Sequence, residues 1–137
     1  MKARPISDIM TKQVHFISVN DEVIQARNLM DKYEINHLPV MEEDKLVGIL
    51  SANDIKQVEY LCEFIGEKLD EGTVFKSLSI EELMTENVMS LNVTATTLEA
   101  AQIFSNASFQ SLPITENDDL VGIVTTKDLF SSFLVEN

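Results

Sequence analysis

Apolar and polar residues along this chain fall into short blocks whose spacing switches between the period of a strand and that of a helix. Val14-His15-Phe16-Ile17-Ser18-Val19 mixes β-branched and aromatic residues and predicts a strand. Asn20-Asp21-Glu22 then offers an N-cap and early negative charge, and Val23, Ala26, Met30 and Tyr33 follow at helical spacing. That helix is expected to stop near Asn36, because Pro39 cannot continue it and Leu38 before it is pushed toward extended geometry. Leu38-Pro39-Val40-Met41, the polar Glu42-Glu43-Asp44-Lys45 and the apolar Leu46-Val47-Gly48-Ile49-Leu50 predict a hairpin, with a new helix after Ser51.

The same pattern then returns. Residues 6–57 align with residues 80–131 at a constant offset of 74 without a gap, and 15 of the 52 pairs are identical. The identities cluster: Met10-Thr11 with Met84-Thr85, Leu38-Pro39 with Leu112-Pro113, Leu46 to Ile49 with Leu120 to Ile123, and Asp54 with Asp128. The second copy predicts a strand over Val88 to Val93, a helix capped by Thr94, a strand over Leu112 to Thr115, a turn at Glu116-Asn117-Asp118-Asp119 and a strand over Leu120 to Thr125. The fold expected is therefore α/β (α+β), two β-α-β-β-α repeats instead of one 137-residue unit. The division is expected at residues 1–69 for the first repeat, 70–79 for a connector and 80–137 for the second.

The chain between the copies is not a loose linker. Ile55, Val58, Cys62, Ile65 and Leu69 step by three and four, which predicts a helix from Ala52 or Asn53 to about Leu69, ended by Gly72. Tyr60, Leu61 and Phe64 widen its apolar stripe beyond what one neighbour needs, as in a helix that also packs against another subunit.

Composition narrows the function. An apolar share of 45% and a charged share of 24% are ordinary for a globular protein. Ten Lys and Arg against 23 Asp and Glu leave a net charge of −13, which repels nucleic-acid phosphates and anionic membranes. The opening MKARPISDIM lacks a signal-peptide apolar run and no stretch is long enough to span a bilayer, so a cytoplasmic protein is expected. The single cysteine, Cys62, reads as a small buried thiol. No nucleophile has a plausible base partner, His15 and His37 are not spaced as helical metal ligands, and the two acidic turns lack the loop of a calcium site. Neither a catalytic nor a metal site is expected, and no cofactor is required.

Two positions carry candidate binding chemistry. Ser51 and Thr125 stand where a buried strand becomes a helix, a place whose free N–H groups and dipole favour an anion. Three residues on, Asp54 and Asp128 fall in the first turn, where a carboxylate can accept hydrogen bonds from both hydroxyls of a ribose. The same spacing also describes a capping box, and both readings stand at this stage.

Leu38-Pro39-Val40 followed by Gly48-Ile49-Leu50-Ser51-Ala52-Asn53-Asp54, and Leu112-Pro113-Ile114 followed by Gly122-Ile123-Val124-Thr125-Thr126-Lys127-Asp128, resemble the cystathionine β-synthase (CBS) domain, whose tandem pair is called a Bateman module. The resemblance covers nearly the whole chain. It implies pseudo-twofold packing and a non-enzymatic regulatory module that binds AMP, ADP, ATP or S-adenosylmethionine in clefts lined by both repeats. One cleft would gather Thr11, Val14 and the segment up to Phe16, together with His37, Leu38, Pro39 and Val40, Thr125, Lys127 and Asp128. The other would gather Thr85 to Ser90, Ser111, Pro113 and Ile114 with Ser51 and Asp54. Adenine would lie on apolar side chains and bond the backbone of the Pro strand. His37 and Lys127 stand where the second cleft has Ser111 and Asn53, and Arg4 and Lys12 fall near the first, so the Asp128 cleft is expected to bind phosphate and the Asp54 cleft to be weak or empty. The acidity raises the cost of a polyphosphate, and a monophosphate or a cationic sulfonium meets less repulsion; the ligands the resemblance implies are ranked AMP and ADP first, then ATP, with S-adenosylmethionine behind. A homodimer and an unidentified regulated protein are the partners implied; the alternative is a dimerising scaffold that binds no nucleotide.

Overall fold

The computed structural model describes residues 2–65 and 70–136. The chain forms two compact units, one of residues 15–88 and one of residues 1–14 with 89–137.

The first of these holds β1 (Ile17–Ser18), α1 (Val23–Tyr33), β2 (His37–Glu42), β3 (Lys45–Ser51), α2 (Ala52–Ile65), α3 (Glu71–Ser77) and α4 (Ile80–Leu83). Its sheet runs β1-β2-β3, with β1 parallel to β2 and β2 antiparallel to β3. The Glu22 N–H donates to Gln25 Oε1 at 2.7 Å to open α1, and Glu34, left-handed at φ 54°, closes it. Of the side chains that the helical spacing singled out, Val23, Ala26 and Met30 pack with Leu38, Val40 and Leu50, where α2 adds Ile55, Val58 and Cys62, while Tyr33 is exposed. Arg27 ties three helices together. Its Nη1 lies 2.6 Å from Glu71 and 3.5 Å from Glu59, and its guanidinium covers the Phe75 ring at 4.9 Å. The hydrogen bond to Glu71 raises the pKa of the guanidinium further above its ordinary value.

In the other unit, β4 (Leu91–Asn92), α5 (Thr97–Ser105), β5 (Ser111–Glu116), β6 (Asp119–Thr125) and α6 (Thr126–Glu136) repeat the first arrangement, with sheet order β4-β5-β6. The 3-10 turn Ile6–Asp8 belongs here, and Ile6 is fully buried with Ala100, Leu112, Ile114 and Val124. The Thr97 N–H donates to the Arg4 carbonyl at 2.8 Å, and the Arg4 N–H returns a bond to Thr97 Oγ1 at 3.1 Å.

Two of the identical blocks explain each other. In one unit, Thr85 and Ile49 exchange both backbone hydrogen bonds, at 2.8 and 3.1 Å; in the other, Thr11 and Ile123 do the same at 2.9 and 3.1 Å. Each threonine brings its preceding methionine over a glycine. A Cβ on Gly48 would lie 2.9 Å from Met84 Cγ and 3.0 Å from the Thr85 carbonyl oxygen. On Gly122 it would meet Met10 Cγ at 3.0 Å and the Thr11 carbonyl oxygen at 3.2 Å. Glycine is needed here for space.

Three sequence expectations are corrected. The first strand of each repeat is two residues long, Ile17–Ser18 and Leu91–Asn92, because only those residues pair with the Pro strand. Thr96, not Thr94, caps α5, accepting from the Glu99 N–H at 3.3 Å, while Thr94 bonds the Asn92 side chain in the preceding turn. The 70–79 connector contains α3, and Gly72 lies inside that helix instead of ending α2. The expected continuation of α2 to Leu69 lies outside the described residues, and Tyr60, Leu61, Phe64 and Ile65 on its final turns are exposed.

Candidate functional site

The strand-to-helix junction has the same construction in both units. At the start of α2, the Ser51 N–H donates to Asp54 Oδ2 at 2.8 Å and the Asp54 N–H donates to Ser51 Oγ at 3.1 Å. At the start of α6, the Thr125 N–H reaches Asp128 Oδ2 at 2.9 Å and the Asp128 N–H reaches Thr125 Oγ1 at 3.1 Å. This is the reciprocal cap, present twice.

The cap changes the chemistry of the junction. The Ala52 N–H is also engaged, by the Asn36 carbonyl at 2.8 Å, and the Thr126 N–H by the Gln110 carbonyl at 3.0 Å. The expectation of a cradle of free N–H groups for phosphate is therefore corrected: three donors at each junction are used, and a carboxylate already meets the helix dipole. The carboxylates remain open on one side. Among the described residues no hydrogen bond engages Oδ1 of Asp54 or Asp128, and both residues are partly exposed. A half-engaged carboxylate held by its own turn is a rigid acceptor for a pair of hydroxyls.

His37 lies opposite Ser51 in the β2–β3 register, beside Asp54 of its own unit. Burial pushes the imidazole pKa below its ordinary 6.5, and the Asp54 charge opposes that only in part. Burial thus favours the neutral imidazole. Its counterpart Ser111, opposite Thr125, is buried. Because the folded pKa is lowered, the unfolded chain takes up the proton first as pH falls. The contribution of His37 is fully present above about pH 6.5 and declines below it, toward the lower folded value. Urea unfolding at pH 7.5 and 5.5 is expected to show a stability loss in the wild type that His37→Gln reduces; equal losses in both would contradict the assignment.

The remaining candidates divide as follows. Leu38, Pro39, Val40, Leu112, Pro113 and Ile114 are all buried, and Leu38, Val40, Leu112 and Ile114 belong to the cores, so these strands offer a ligand mainly backbone. Thr11 is exposed beside Ile123, Val14 is half-buried, and Lys127 is exposed in the first turn of α6. The residues assigned to each cleft lie in different units, and within one unit the structure brings together His37, Ser51 and Asp54, and in the other Thr11, Ser111, Thr125, Lys127 and Asp128.

Sequence reasoning missed one feature on each repeat. The rings of His15 and Tyr33 stack at 3.7 Å and 15°, with Lys32 Nζ 5.3 Å from the centre of the Tyr33 ring. In the other unit a pocket of about 520 Å³ is lined by Met89, Leu91, Ile103 and Ala107, with Glu99, Gln102 and Asn106 at its polar side. Neither could be read from a linear pattern, since both depend on the entry to the first strand meeting the end of the first helix.

Fold and junctions together define a duplicated α/β module, with no helix among the described residues long and apolar enough to cross a membrane. The CBS domain family model matches residues 6–60 and again 80–134, and the chain belongs to that family as a tandem CBS pair. The CBS domain pair of protein MJ0100, solved with 5′-methylthioadenosine and S-adenosyl-L-methionine, superposes with a TM-score of 0.81 over 99% of this chain and all of that one, at 27% identity. CBS domain-containing protein YhcV of Bacillus subtilis is 29% identical over 124 residues, covering 90% of this chain and 81% of its own length. Inosine-5′-monophosphate dehydrogenase of Methanocaldococcus jannaschii is 30% identical over 124 residues, 89% of this chain, but the chain spans only 22% of that enzyme.

Proposed function

We propose that this CBS pair is a non-enzymatic regulatory sensor for an adenosyl ligand, held by the ribose through Asp54 or Asp128 in a cleft completed, as the family resemblance implies, by the Pro strand of the other repeat. The observation that carries the reading is the half-engaged carboxylate, built identically on Ser51–Asp54 and Thr125–Asp128. The ligands crystallised with the MJ0100 pair support the adenosyl class. The net charge of −13 raises the cost of a polyphosphate and favours AMP, ADP or an adenosyl group bearing a thioether or sulfonium over ATP. With burial favouring the neutral form of His37, Lys127 is the cation left to oppose that charge from the pair expected around a phosphate.

The module regulates by differential affinity for two arrangements of its repeats, 1–69 and 80–137, with a coupling of about 1–3 kcal/mol. It acts in the cytoplasm as a homodimer and passes the signal to a regulated protein. Thermal melting with AMP, ADP, ATP, 5′-methylthioadenosine and S-adenosylmethionine tests it. A ligand at about 100 times its dissociation constant is expected to add about 2.7 kcal/mol. No shift with any of the five would favour the second reading, a dimerising scaffold, which has its own support in the exposed Tyr60, Leu61 and Phe64 of α2 and Phe130, Leu134 and Val135 of α6.

A further inference from the structure

His15 and Met89 occupy the same position in the two repeats, and so do Tyr33 and Ala107, at the offset of 74. Where the second repeat has its pocket of about 520 Å³, the first has a flat nitrogen heterocycle of its own, the His15 imidazole lying on Tyr33 at 3.7 Å. We infer that the His15–Tyr33 stack is a built-in occupant that closes the first repeat to a ligand's base, and that the pocket between Met89 and Ala107 is the one that receives a planar heteroaromatic base. This deepens the adenosyl reading and rests on it.

The pocket has the attributes that a base requires. Its volume lies within the range typical of small-molecule sites, and Leu91, Ile103 and Ala107 supply apolar walls. Gln102 adds an amide that can both donate and accept, and no other described residue bonds it. The backbone carbonyl of Gln102 accepts from Ser105 Oγ at 2.8 Å and from Asn106 Nδ2 at 3.0 Å, which holds Asn106 at the end of α5. Met89, half exposed at 51%, is a long flexible thioether that can close over one face of a ring. In the first repeat the His15 ring already stands at the equivalent position, and Lys32 Nζ, 5.3 Å from the centre of the Tyr33 ring, adds a cation–π contact to the pair. An incoming base would have to displace His15 from Tyr33. The family pairing groups Thr85 to Ser90, and so Met89, with Asp54, which reverses the preference for the Asp128 cleft drawn from the distribution of Lys and His.

Calorimetric titration with AMP and with S-adenosylmethionine tests the inference on three proteins: wild type, Met89→His/Ala107→Tyr, which installs the stack in the second repeat, and His15→Met/Tyr33→Ala, which removes it from the first. Wild type is expected to bind one ligand per chain. The first variant is expected to weaken that binding at least about tenfold, and the second to raise the stoichiometry to two, a gain that a misfolded protein cannot supply. Two ligands per wild-type chain, or unchanged affinity in Met89→His/Ala107→Tyr, would overturn the inference and leave the adenosyl reading standing. Binding by none of the three would overturn both.

Discussion

Asp54→Ala is expected to weaken binding of AMP about ten- to a hundredfold, while Asp128→Ala changes it by less than about threefold. The size follows from the chemistry of the junction. A ribose diol donates to a charged acceptor, a bond worth about 1.5–3 kcal/mol, and 1.4 kcal/mol is a factor of ten in affinity. Asp54 Oδ2 is committed to the Ser51 N–H at 2.8 Å, so Oδ1 is the oxygen that a sugar would engage. Truncation also removes one half of the reciprocal cap, the bond from the Ser51 or Thr125 N–H, at about 0.5–1.5 kcal/mol of stability, and this loss is expected at both positions. Asp54→Asn separates the two effects, since an amide oxygen keeps the cap and removes the charge; it is expected to melt near the wild type and to bind about tenfold more weakly. The asymmetry follows from the inference that the pocket of the second repeat takes the base, combined with the grouping of Thr85 to Ser90 with Asp54 that the family resemblance implies. Calorimetry showing the opposite order, with Asp128→Ala disabling and Asp54→Ala neutral, would restore the phosphate-led assignment to Lys127.

The hairpins were readable because every local signal agreed. Leu-Pro-apolar, an acidic turn and Leu-Val-Gly-Ile recur at one offset, and the second turn places Asn117 and Asp118 at φ 51° and 68°, where a two-residue hairpin needs them and where Asn and Asp tolerate them. The opening strands were overread. Val14 to Val19 has strand composition throughout, yet only Ile17 and Ser18 find partners, since pairing is a tertiary fact that propensity does not carry. The α4 helix had a legible signal that went unused: Ser79 and Glu82 form a capping box, with the Glu82 N–H on Ser79 Oγ at 3.1 Å and the Ser79 N–H on Glu82 Oε1 at 3.0 Å.

Of the site, the spacing of Ser51 to Asp54 and Thr125 to Asp128 was enough to place both carboxylates and to foresee their caps. The charge state of His37 was not legible, because it depends on burial opposite Ser51. The sequence preference for the Asp128 cleft rested on Lys127, Arg4 and Lys12 as well as on His37. The stack of His15 on Tyr33 was hidden for a related reason: the two are 18 positions apart (33 − 15), and only the return of α1 to the edge of the sheet brings them together.

Gly48→Ala and Gly122→Ala are each expected to cost about 1–3 kcal/mol, the usual range for forcing a methyl group into a filled space. At roughly 4 °C per kcal/mol for a protein of this size, the melting midpoint falls by about 4–12 °C. Neither glycine has a positive φ, so the cost comes from what sits above it: Met84 and the Thr85 carbonyl in one unit, Met10 and the Thr11 carbonyl in the other. The carbonyl cannot retreat without loosening the paired bonds to Ile49 or Ile123, at 2.8 to 3.1 Å, that dock the Met-Thr segment on the sheet. The methionine can, since its thioether is flexible. A double-mutant cycle isolates that part: Gly48→Ala is expected to cost less in a Met84→Ala background than in the wild type, by about 0.5–1.5 kcal/mol. The same penalty in both backgrounds would mean that the methionine is not what excludes the Cβ, leaving the recurrence of Met-Thr and Gly at matched positions without its physical cause.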